Sequence, residues 1–223
     1  MSAPFADVDA LFDALWASRD ADDEGGLSIL EHCLQCAELL RASHPGDDAL
    51  HVAGLVHDLG WLERAGDGWT LRLDAAHDVD GRALVQPLLG DRVASLVGGH
   101  VAAKRYLLTT DPRYATLLSH RSEVTLGFQG GLMDAAEVVA FERRPDRADL
   151  VALRRADDAA KVRGKHVDPL SSWLPVVTGQ FRSREGSEQR VTGGAGELEV
   201  EERGDGRGPV GGGDATAGER GHE

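Results

Sequence analysis

The sequence predicts an all-α fold built as one helical domain. Apolar residues recur at helical spacing, capping signals precede several of these segments, and the alternation typical of strands is nearly absent. At 223 residues the chain is long enough for one sizeable core but too short for two comfortable domains with linkers. We therefore expect a single helical bundle.

The first helix is predicted by an amphipathic stripe near the N-terminus. Its members fall at i, i+3, i+4 spacing: Phe5, Val8, Leu11, Phe12, Leu15 and Trp16. The segment has no basic leader, and Asp7, Asp9 and Asp13 interrupt its apolar residues, which argues against a signal peptide. Because no other apolar run reaches membrane-spanning length, we expect a cytoplasmic protein without a membrane partner.

The second helix is predicted to begin near residue 28, where Ser28 and Glu31 match a capping box. The two cysteines of the chain, Cys33 and Cys36, lie on one face of this helix. We interpret them as core residues, since a structural zinc site would need a second pair.

The remaining helices are predicted from periodicity and from proline and glycine positions. Asp111-Pro112 and Asp168-Pro169 each place a capping residue before a first-turn proline, so helices should begin near 111 and 168. Further helical patterns run over 47–59, 75–86, 91–108, 134–143 and 147–162. The stops between them are Gly60, Gly90, Gly130-Gly131 and Pro145, which gives seven to nine helices.

The composition changes near residue 181. Twelve of the last 43 residues are glycine, and charged residues fill most of the rest. Such a segment buries too little apolar surface to order itself, so we expect a domain over 1–180 and a disordered tail over 181–223. Across the chain, 38 acidic residues exceed 24 basic ones, which argues against nucleic acid or anionic lipid as a general partner.

Six histidines and aspartates fall, in order, on predicted helices: His32, His57, Asp58, His77, His100 and Asp157. Polar side chains on apolar helix faces require partners. Converging imidazoles and carboxylates are what a two-metal site needs to activate water or oxygen. The dipeptide His57-Asp58 is weak evidence alone, because it recurs as His77-Asp78. The other histidines lie in polar or loop contexts and are predicted surface residues: His44, His51, His120, His166 and His222.

The series and the segments between its members resemble a known family. The blocks are His100-Val-Ala-Ala-Lys-Arg-Tyr106, Asp111-Pro-Arg-Tyr114, Gln129-Gly-Gly-Leu-Met133 and Leu153-Arg-Arg-Ala-Asp-Asp-Ala-Ala-Lys161. The series resembles the HD-domain superfamily. The blocks resemble its hydroxyphosphonate-cleaving oxygenases, mixed-valent di-iron enzymes related to myo-inositol oxygenase. The resemblance spans about residues 28–165.

The resemblance implies a ligand set for two irons, Fe(II) and Fe(III). Asp58 would bridge both irons, one of which would also bind His32, His57 and Asp157. His77 and His100 would bind the other. Asp157 is preferred to Asp158 because the family places its last ligand four residues before a lysine, here Lys161.

The resemblance also implies substrate contacts at Lys104, Ser122, Gln129 and Arg154, with Asp58 and Lys104 as catalytic residues. Helical spacing agrees, since Lys104 follows His100 by four residues and Arg154 precedes Asp157 by three. A cationic rim beside a metal site suits a small anionic substrate.

Two departures from the family pattern bear on the substrate. The segment 21–26 lacks the family's tyrosine, which can occupy an iron position, and Glu24 stands at a shifted register for the family's glutamate. Trp61 replaces a polar residue that usually follows the His-Asp motif, and it is a candidate pocket residue. The substrate therefore need not be the family's aminohydroxyphosphonate.

Three functions remain open from the sequence. The resemblance favours an oxygenase that uses O2 to cleave a C–P or C–C bond of a small hydroxylated substrate. The same ligands could hold Mn or Mg in a phosphohydrolase, where metal-bound water attacks a phosphoester. A regulatory module without turnover is the third, although it would not need six ligands. The sequence does not predict the oligomeric state.

Overall fold

The computed structural model describes residues 4–24, 26–65, 68–71 and 76–182. The predicted all-α class is confirmed in this part of the chain. Seven helices are α1 (Val8–Ala17), α2 (Ile29–Ser43), α3 (Asp48–Val56), α4 (His77–Thr110), α5 (His120–Phe128), α6 (Ala135–Glu142) and α7 (Arg147–Ala159). An eighth helix, α8, runs over 174–182.

Two short antiparallel hairpins, which the sequence did not predict, accompany the helices. One pairs β1 (Asp22–Glu24) with β2 (Leu27–Ser28), and the other pairs β3 (Leu62–Ala65) with β4 (Gly68–Leu71). The first precedes α2 and the second separates α3 from α4. Both lie between elements of the helical core and do not form its layers.

Capping signals predicted some helix starts correctly and one incorrectly. Ser28 and Glu31 form the expected capping box of α2. At 111 the prediction is wrong, because only a short 3-10 turn follows (Tyr114–Leu117), and α5 begins at 120 with Ser119 as its N-cap. Near 168 the chain forms a 3-10 turn, Leu170–Trp173, that continues into α8.

The core is built from α2, α3, α4 and α7, which pack against one another. Leu40, Leu55, Leu89, Leu96 and Leu153 are fully buried among them. The helix α4 spans two predicted segments, which meet in a kink at Gly90, the predicted stop. The φ of Gly90, 82°, is left-handed and therefore favours glycine. The break changes the direction of α4, so both of its halves can line the same core.

Cys33 and Cys36 are both buried, as expected of core residues. At the C-terminal end, Phe181 packs against the core, so the packed helix continues past the predicted boundary at 180. The rest of the predicted tail lies outside the described residues. Among those residues, no helix has the length and apolar character needed to cross a bilayer.

Candidate metal centre

The core helices bring the six predicted ligands together. His32 lies in α2, His57 and Asp58 directly follow α3, and His77 begins α4. His100 lies in the second half of α4, and Asp157 lies near the end of α7. All six side chains are buried. Residues distant in sequence therefore meet because four packed helices each direct one or two polar side chains toward one point.

The six residues form two groups whose ligand atoms lie within 4.8 Å of one another. We call the group His32, His57 and Asp157 site 1, and the group Asp58, His77 and His100 site 2. In site 1, His32 Nε2 lies 3.2 Å from Asp157 Oδ1 and 3.2 Å from His57 Nε2. In site 2, the Nε2 atoms of His77 and His100 are 3.0 Å apart. Each group could hold one cation.

Asp58 lies between the two sites, with one oxygen toward each. Its Oδ2 is 3.6 Å from Nε2 of both His32 and His57. Its Oδ1 is 3.7 Å from His77 Nε2 and 3.9 Å from His100 Nε2. A carboxylate in this position can bridge two metal ions.

Hydrogen bonds fix which nitrogen of the histidines faces the centre. In three of them Nδ1 lies near a backbone carbonyl oxygen: His32 near Ala160 at 3.1 Å, His57 near Gly54 at 2.9 Å and His100 near Val97 at 2.7 Å. A carbonyl only accepts, so Nδ1 carries the proton and the Nε2 lone pair points inward. The Nε2 lone pairs of His32 and His57 then face each other and the carboxylate of Asp157. These electron-rich atoms repel one another unless a cation lies between them.

His77 differs from the other three histidines. Its Nδ1 is buried and has no hydrogen-bond partner among the described residues. The indole of Trp61 stacks on the imidazole, with ring centroids 4.0 Å apart and planes 10° apart. Trp61 is also buried and lines the adjoining pocket, so it both supports a predicted ligand and limits the space beside it.

Gly60 sets the distance between the turn that carries Asp58 and the start of α4. A Cβ at position 60 would lie 1.7 Å from the carbonyl oxygen of His77 and 2.7 Å from the amide nitrogen of Gly81. Both atoms belong to the backbone, so no side-chain movement could relieve the clash. Only glycine allows this contact.

Electrostatics keep the two carboxylates ionised. Burial raises the pKa of Asp58, but when no cation lies between the side chains, positive charge on the facing imidazoles, His57 first, lowers it by more, so the pKa lies well below its usual range. Burial likewise raises the pKa of Asp157, but the Arg154 guanidinium lowers it by more, so this pKa also lies well below its usual range. Both side chains are therefore in the form that binds metal.

Electrostatics also keep two of the imidazoles neutral. Burial lowers the pKa of His77 well below its usual value, and the neighbouring His100 lowers it further. The pKa of His100 is lowered by burial and by His57. Beside them, burial and the nearby charge of Arg154 lower the pKa of Lys104 to about 8.

A pocket of about 30 Å³ adjoins the centre on the side of α5 and is partly open to solvent. All five predicted substrate contacts line it, together with further polar residues. The full lining is Asp58, Trp61, His77, His100, Val101, Lys104, Arg121, Ser122, Thr125, Gln129, Arg154, Asp157 and Lys161.

Comparisons with known proteins agree on one kind of enzyme. The family model for myo-inositol oxygenase matches residues 8–70. A hydroxymethylphosphonate dioxygenase from Gimesia maris is 34% identical over 173 residues, which are 76% of this chain and 86% of that protein. The chain belongs to the family of these phosphonate dioxygenases, which is related to myo-inositol oxygenase.

Two further relatives extend the family match. A [1-hydroxy-2-(trimethylamino)ethyl]phosphonate dioxygenase (glycine-betaine-forming) from Leisingera caerulea is 33% identical over 153 residues, 68% of this chain and 78% of that protein. A probable inositol oxygenase from Oryza sativa is 46% identical over 41 residues, 18% of this chain and 13% of that protein. Family membership confirms the prediction of an oxygenase enzyme and disfavours the phosphohydrolase and the regulatory module.

In this member of the dioxygenase family, the predicted substrate contacts differ in how many hydrogen bonds they already make to protein groups. Lys104 is buried, and its Nζ donates to Ser122 O at 3.3 Å and Thr125 Oγ1 at 3.1 Å. Gln129 lines the pocket, and its Oε1 is buried without a hydrogen-bond partner in the described part of the chain. Arg154 also lines the pocket, but most of its donors already bond protein groups.

Some residues near the centre were missed or misjudged from the sequence. Thr125 lines the pocket one helical turn after Ser122, at a spacing that could have suggested it. Tyr114 and Asp158 bond Arg154 beside the centre, but nothing in their sequence context indicated this. His51, predicted as a surface residue, is buried because α3 turns it inward, where Nε2 lies 2.8 Å from the His44 carbonyl oxygen.

The remaining predictions about this region have mixed outcomes. His44, His120 and His166 are exposed as expected, while His222 lies outside the described residues. The expected shift of the family glutamate to Glu24 concerns a side chain that is also outside the described part.

Proposed function

We propose that this chain is a di-iron oxygenase that uses O2 to cleave the C–P bond of a small hydroxyphosphonate. The observation that carries this proposal is the position of Asp58, with Oδ2 toward site 1 and Oδ1 toward site 2. A pocket lined by Lys104, Ser122 and Gln129 adjoins both sites. The names of the two phosphonate dioxygenases that this chain resembles support the reaction class.

The residues present fit a pair of iron ions. Neutral imidazoles and ionised carboxylates are the ligands that non-haem iron prefers, and no thiolate points into the centre among the described residues. His32, His57 and Asp157 would hold one iron, His77 and His100 the other, and Asp58 would join both. When bound, the pair would supply the redox chemistry with O2 and a Lewis acid for the substrate hydroxyl.

The protein side chains would bind and orient the anionic end of the substrate. The Lys104 ammonium and the Ser122 hydroxyl lie in the pocket wall, where they can donate to phosphonate oxygens. The Gln129 amide could donate from the same side. Burial of Lys104 excludes water from this contact, so the charge-assisted bond is stronger than it would be on the surface.

Atom balance defines the products. Hydroxymethylphosphonate, the substrate named for the Gimesia maris relative, would give formate and phosphate when both atoms of O2 enter the products. The Leisingera caerulea relative is named as forming glycine betaine, a carboxylate, from a trimethylamino hydroxyphosphonate. Both conversions oxidise the hydroxyl-bearing carbon to a carboxylate and separate it from phosphorus.

Trp61 suggests which hydroxyphosphonate would fit best. The indole stacks on His77 and lines the pocket beside that predicted ligand. A substrate with a small substituent, such as hydroxymethylphosphonate, would avoid this ring. A substrate with a bulky trimethylamino group would contact the ring.

The experiment loads the purified chain with Fe(II) without oxygen, measures iron per chain, and then follows O2 uptake and phosphate release with hydroxymethylphosphonate. We expect about two irons per chain and phosphate released in step with O2 consumed. His57→Ala should abolish both signals, whereas His166→Ala, which changes an exposed histidine, should leave them intact.

Two results would contradict the proposal. The first is an iron content of one or none after anaerobic loading. The second is hydrolysis of a phosphoester by the Mn- or Mg-loaded chain in the absence of O2, with no O2 uptake on hydroxyphosphonates. The second result would establish the phosphohydrolase alternative.

A further inference from the structure

A buried polar cluster lies behind site 1, on the side away from His57. It consists of Tyr114 from the 3-10 turn after α4, with Arg154 and Asp158 from α7. Tyr114 is 1% exposed and Arg154 is 4% exposed, so neither is a surface residue. None of the three was expected to act behind a ligand, although Arg154 was predicted to contact substrate.

The cluster surrounds the guanidinium of Arg154 on three sides. Nη1 donates to Asp157 Oδ2 at 2.7 Å, and Nη2 donates to Asp158 Oδ1 and, at 3.3 Å, to Ser122 Oγ. Nε donates to Tyr114 Oη at 2.8 Å and to Asp158 Oδ2 at 3.2 Å. These bonds engage Nε, both Nη2 hydrogens and one of the two Nη1 hydrogens. At most one N–H of Arg154 is left to contact a substrate without rearrangement.

Tyr114 completes the cluster by donating its hydroxyl proton to Asp158 Oδ2. Burial raises the pKa of Tyr114, so the phenol remains a donor. Asp158 is therefore held by Tyr114 and Arg154 together. The orientation of the guanidinium depends on both, because a planar cation bonded along two edges cannot rotate.

The orientation of Arg154 determines which oxygen of Asp157 reaches the metal centre. Oδ2 is held by Nη1 of Arg154, while Oδ1 lies 3.2 Å from His32 Nε2 and faces site 1. If Arg154 turned, Oδ2 of Asp157 would lose its donor, the carboxylate could rotate, and the position of Oδ1 would be less defined. Groups that hold a ligating carboxylate in this way tune metal affinity.

We infer that Tyr114 and Asp158 are positioning residues that act through Arg154 to present Asp157 Oδ1 to site 1. They touch neither the substrate pocket nor a ligand of site 2 in the described residues, so their effect should be confined to one metal position. The inference rests on the proposed two-metal centre.

The test measures Fe(II) affinity by anaerobic titration of the full chain against a competing chelator. Asp158→Asn should weaken the site that contains Asp157 by about tenfold to a hundredfold. Tyr114→Phe, which removes the hydrogen bonds to Asp158 and from Arg154 and keeps the ring, should weaken it by about threefold to tenfold. The other metal position should change little, so the titration should become more clearly biphasic.

Two matched controls separate positioning from general destabilisation. Tyr106→Phe removes the only other tyrosine hydroxyl of the chain, which bonds Glu142 at 3.3 Å away from the centre. Asp146→Asn disrupts a half-buried carboxylate that pairs with Arg144 at 2.9 Å. Both controls should keep the wild-type iron affinities even where the melting temperature falls.

The inference is overturned if Tyr114→Phe and Asp158→Asn fold and bind Fe(II) at both positions as tightly as the wild type. It is also overturned if the two variants and the two controls lose iron affinity in proportion to their melting temperatures. Failure of the wild type to bind two ions would instead contradict the proposed function, so the two failures are distinguishable.

Discussion

The pocket has two sides that are built in different ways. On the metal side, three of the four histidines are fixed by backbone carbonyls, and every predicted ligand is buried in the packed core. On the other side stands α5, in which Ser122 is the one buried residue. The outward residues Val124 and Phe128 of α5 are 52% and 75% exposed.

The difference extends to the forces that hold each side. Apolar packing and backbone geometry fix the metal side, whereas α5 is held at the pocket largely through polar contacts with Lys104, Arg154 and Lys161. A substrate oxyanion would compete for the same donors. The metal side therefore does not depend on contacts with substrate, whereas the α5 side shares its hydrogen-bond donors with it. Substitutions on the metal side should abolish activity, whereas those on the α5 side should reduce it in part or change its substrate preference.

The largest expected effect is that of Asp58→Ala, which removes the carboxylate shared by both sites. It should remove both ions and all oxygenase activity, whereas His100→Ala should weaken chiefly site 2 because site 1 keeps its own ligands. Iron analysis after anaerobic loading measures both outcomes. Equal loss from the two variants would show that Asp58 does not bridge.

Lys104→Ala should give the next largest effect, by removing the buried cation between the centre and α5. Loss of one charge-assisted bond costs roughly 1.5–3 kcal/mol, or about ten- to hundredfold in kcat/KM for an anionic substrate. Iron content should not change. Lys165→Ala, on the loop after α7, is the matched control. Full activity of Lys104→Ala on hydroxyphosphonates would mean that this cation does not bind substrate.

The pH dependence of kcat/KM should follow the titration of Lys104. Burial and Arg154 lower the pKa of Lys104 to about 8, so the ammonium is present below that pH and is lost above it. In the alkaline range kcat/KM should therefore fall by about tenfold per pH unit, with the change chiefly in KM. Lys104→Arg should keep its charge and flatten the profile. A wild-type profile that is already flat to about pH 9.5 would contradict this assignment.

A smaller effect is expected where the two sides meet at Trp61. Trp61→His would restore the usual family residue, enlarge the pocket and offer a polar group beside His77. Activity on a small aminohydroxyphosphonate should rise severalfold relative to hydroxymethylphosphonate. Trp16→His, which alters a tryptophan that is 56% exposed, should leave the ratio unchanged. An unchanged ratio in Trp61→His would show that the indole is only a packing residue.

The smallest effect should come from deleting residues 183–223, beyond α8. Because their composition is glycine-rich and charged, we expect them to contribute little buried area. The melting temperature should shift by less than about 2 °C, and iron content should be unchanged. Aggregation of the shortened chain, or loss of its iron, would show that the segment belongs to the folded unit.

Sequence reasoning worked best where one local rule was sufficient. Helical periodicity and the Ser28 capping box predicted α2 because both act within a few residues. Pro112 led to an incorrect helix start, because a proline permits a helix to begin but does not require it. The chain forms a 3-10 turn there instead, and Tyr114 of this turn bonds Asp158 of α7. Likewise the hairpin from Leu62 has only short strands, too few residues for alternation to be visible.

The centre was predictable to the extent that family motifs carry its ligands. The family spacing selected Asp157, which the structure places beside His32, whereas Asp158 contacts Tyr114. The resemblance assigned Arg154 to substrate, but the sequence cannot show that protein groups already occupy most of its donors. Tertiary hydrogen bonds of this kind depend on how helices pack against one another. The sequence of a single helix does not contain that information.

The backbone contact between Gly60 and the His77 carbonyl oxygen fixes one distance within site 2. Because the two backbones touch at this point, the separation between Asp58 and the first ligand of α4 does not depend on side-chain size or rotamer. Side chains around the pocket can then diverge to suit new substrates while this part of site 2 keeps its spacing. A single methyl group at position 60 would force the turn after α3 away from the start of α4, and would therefore separate Asp58 from His77.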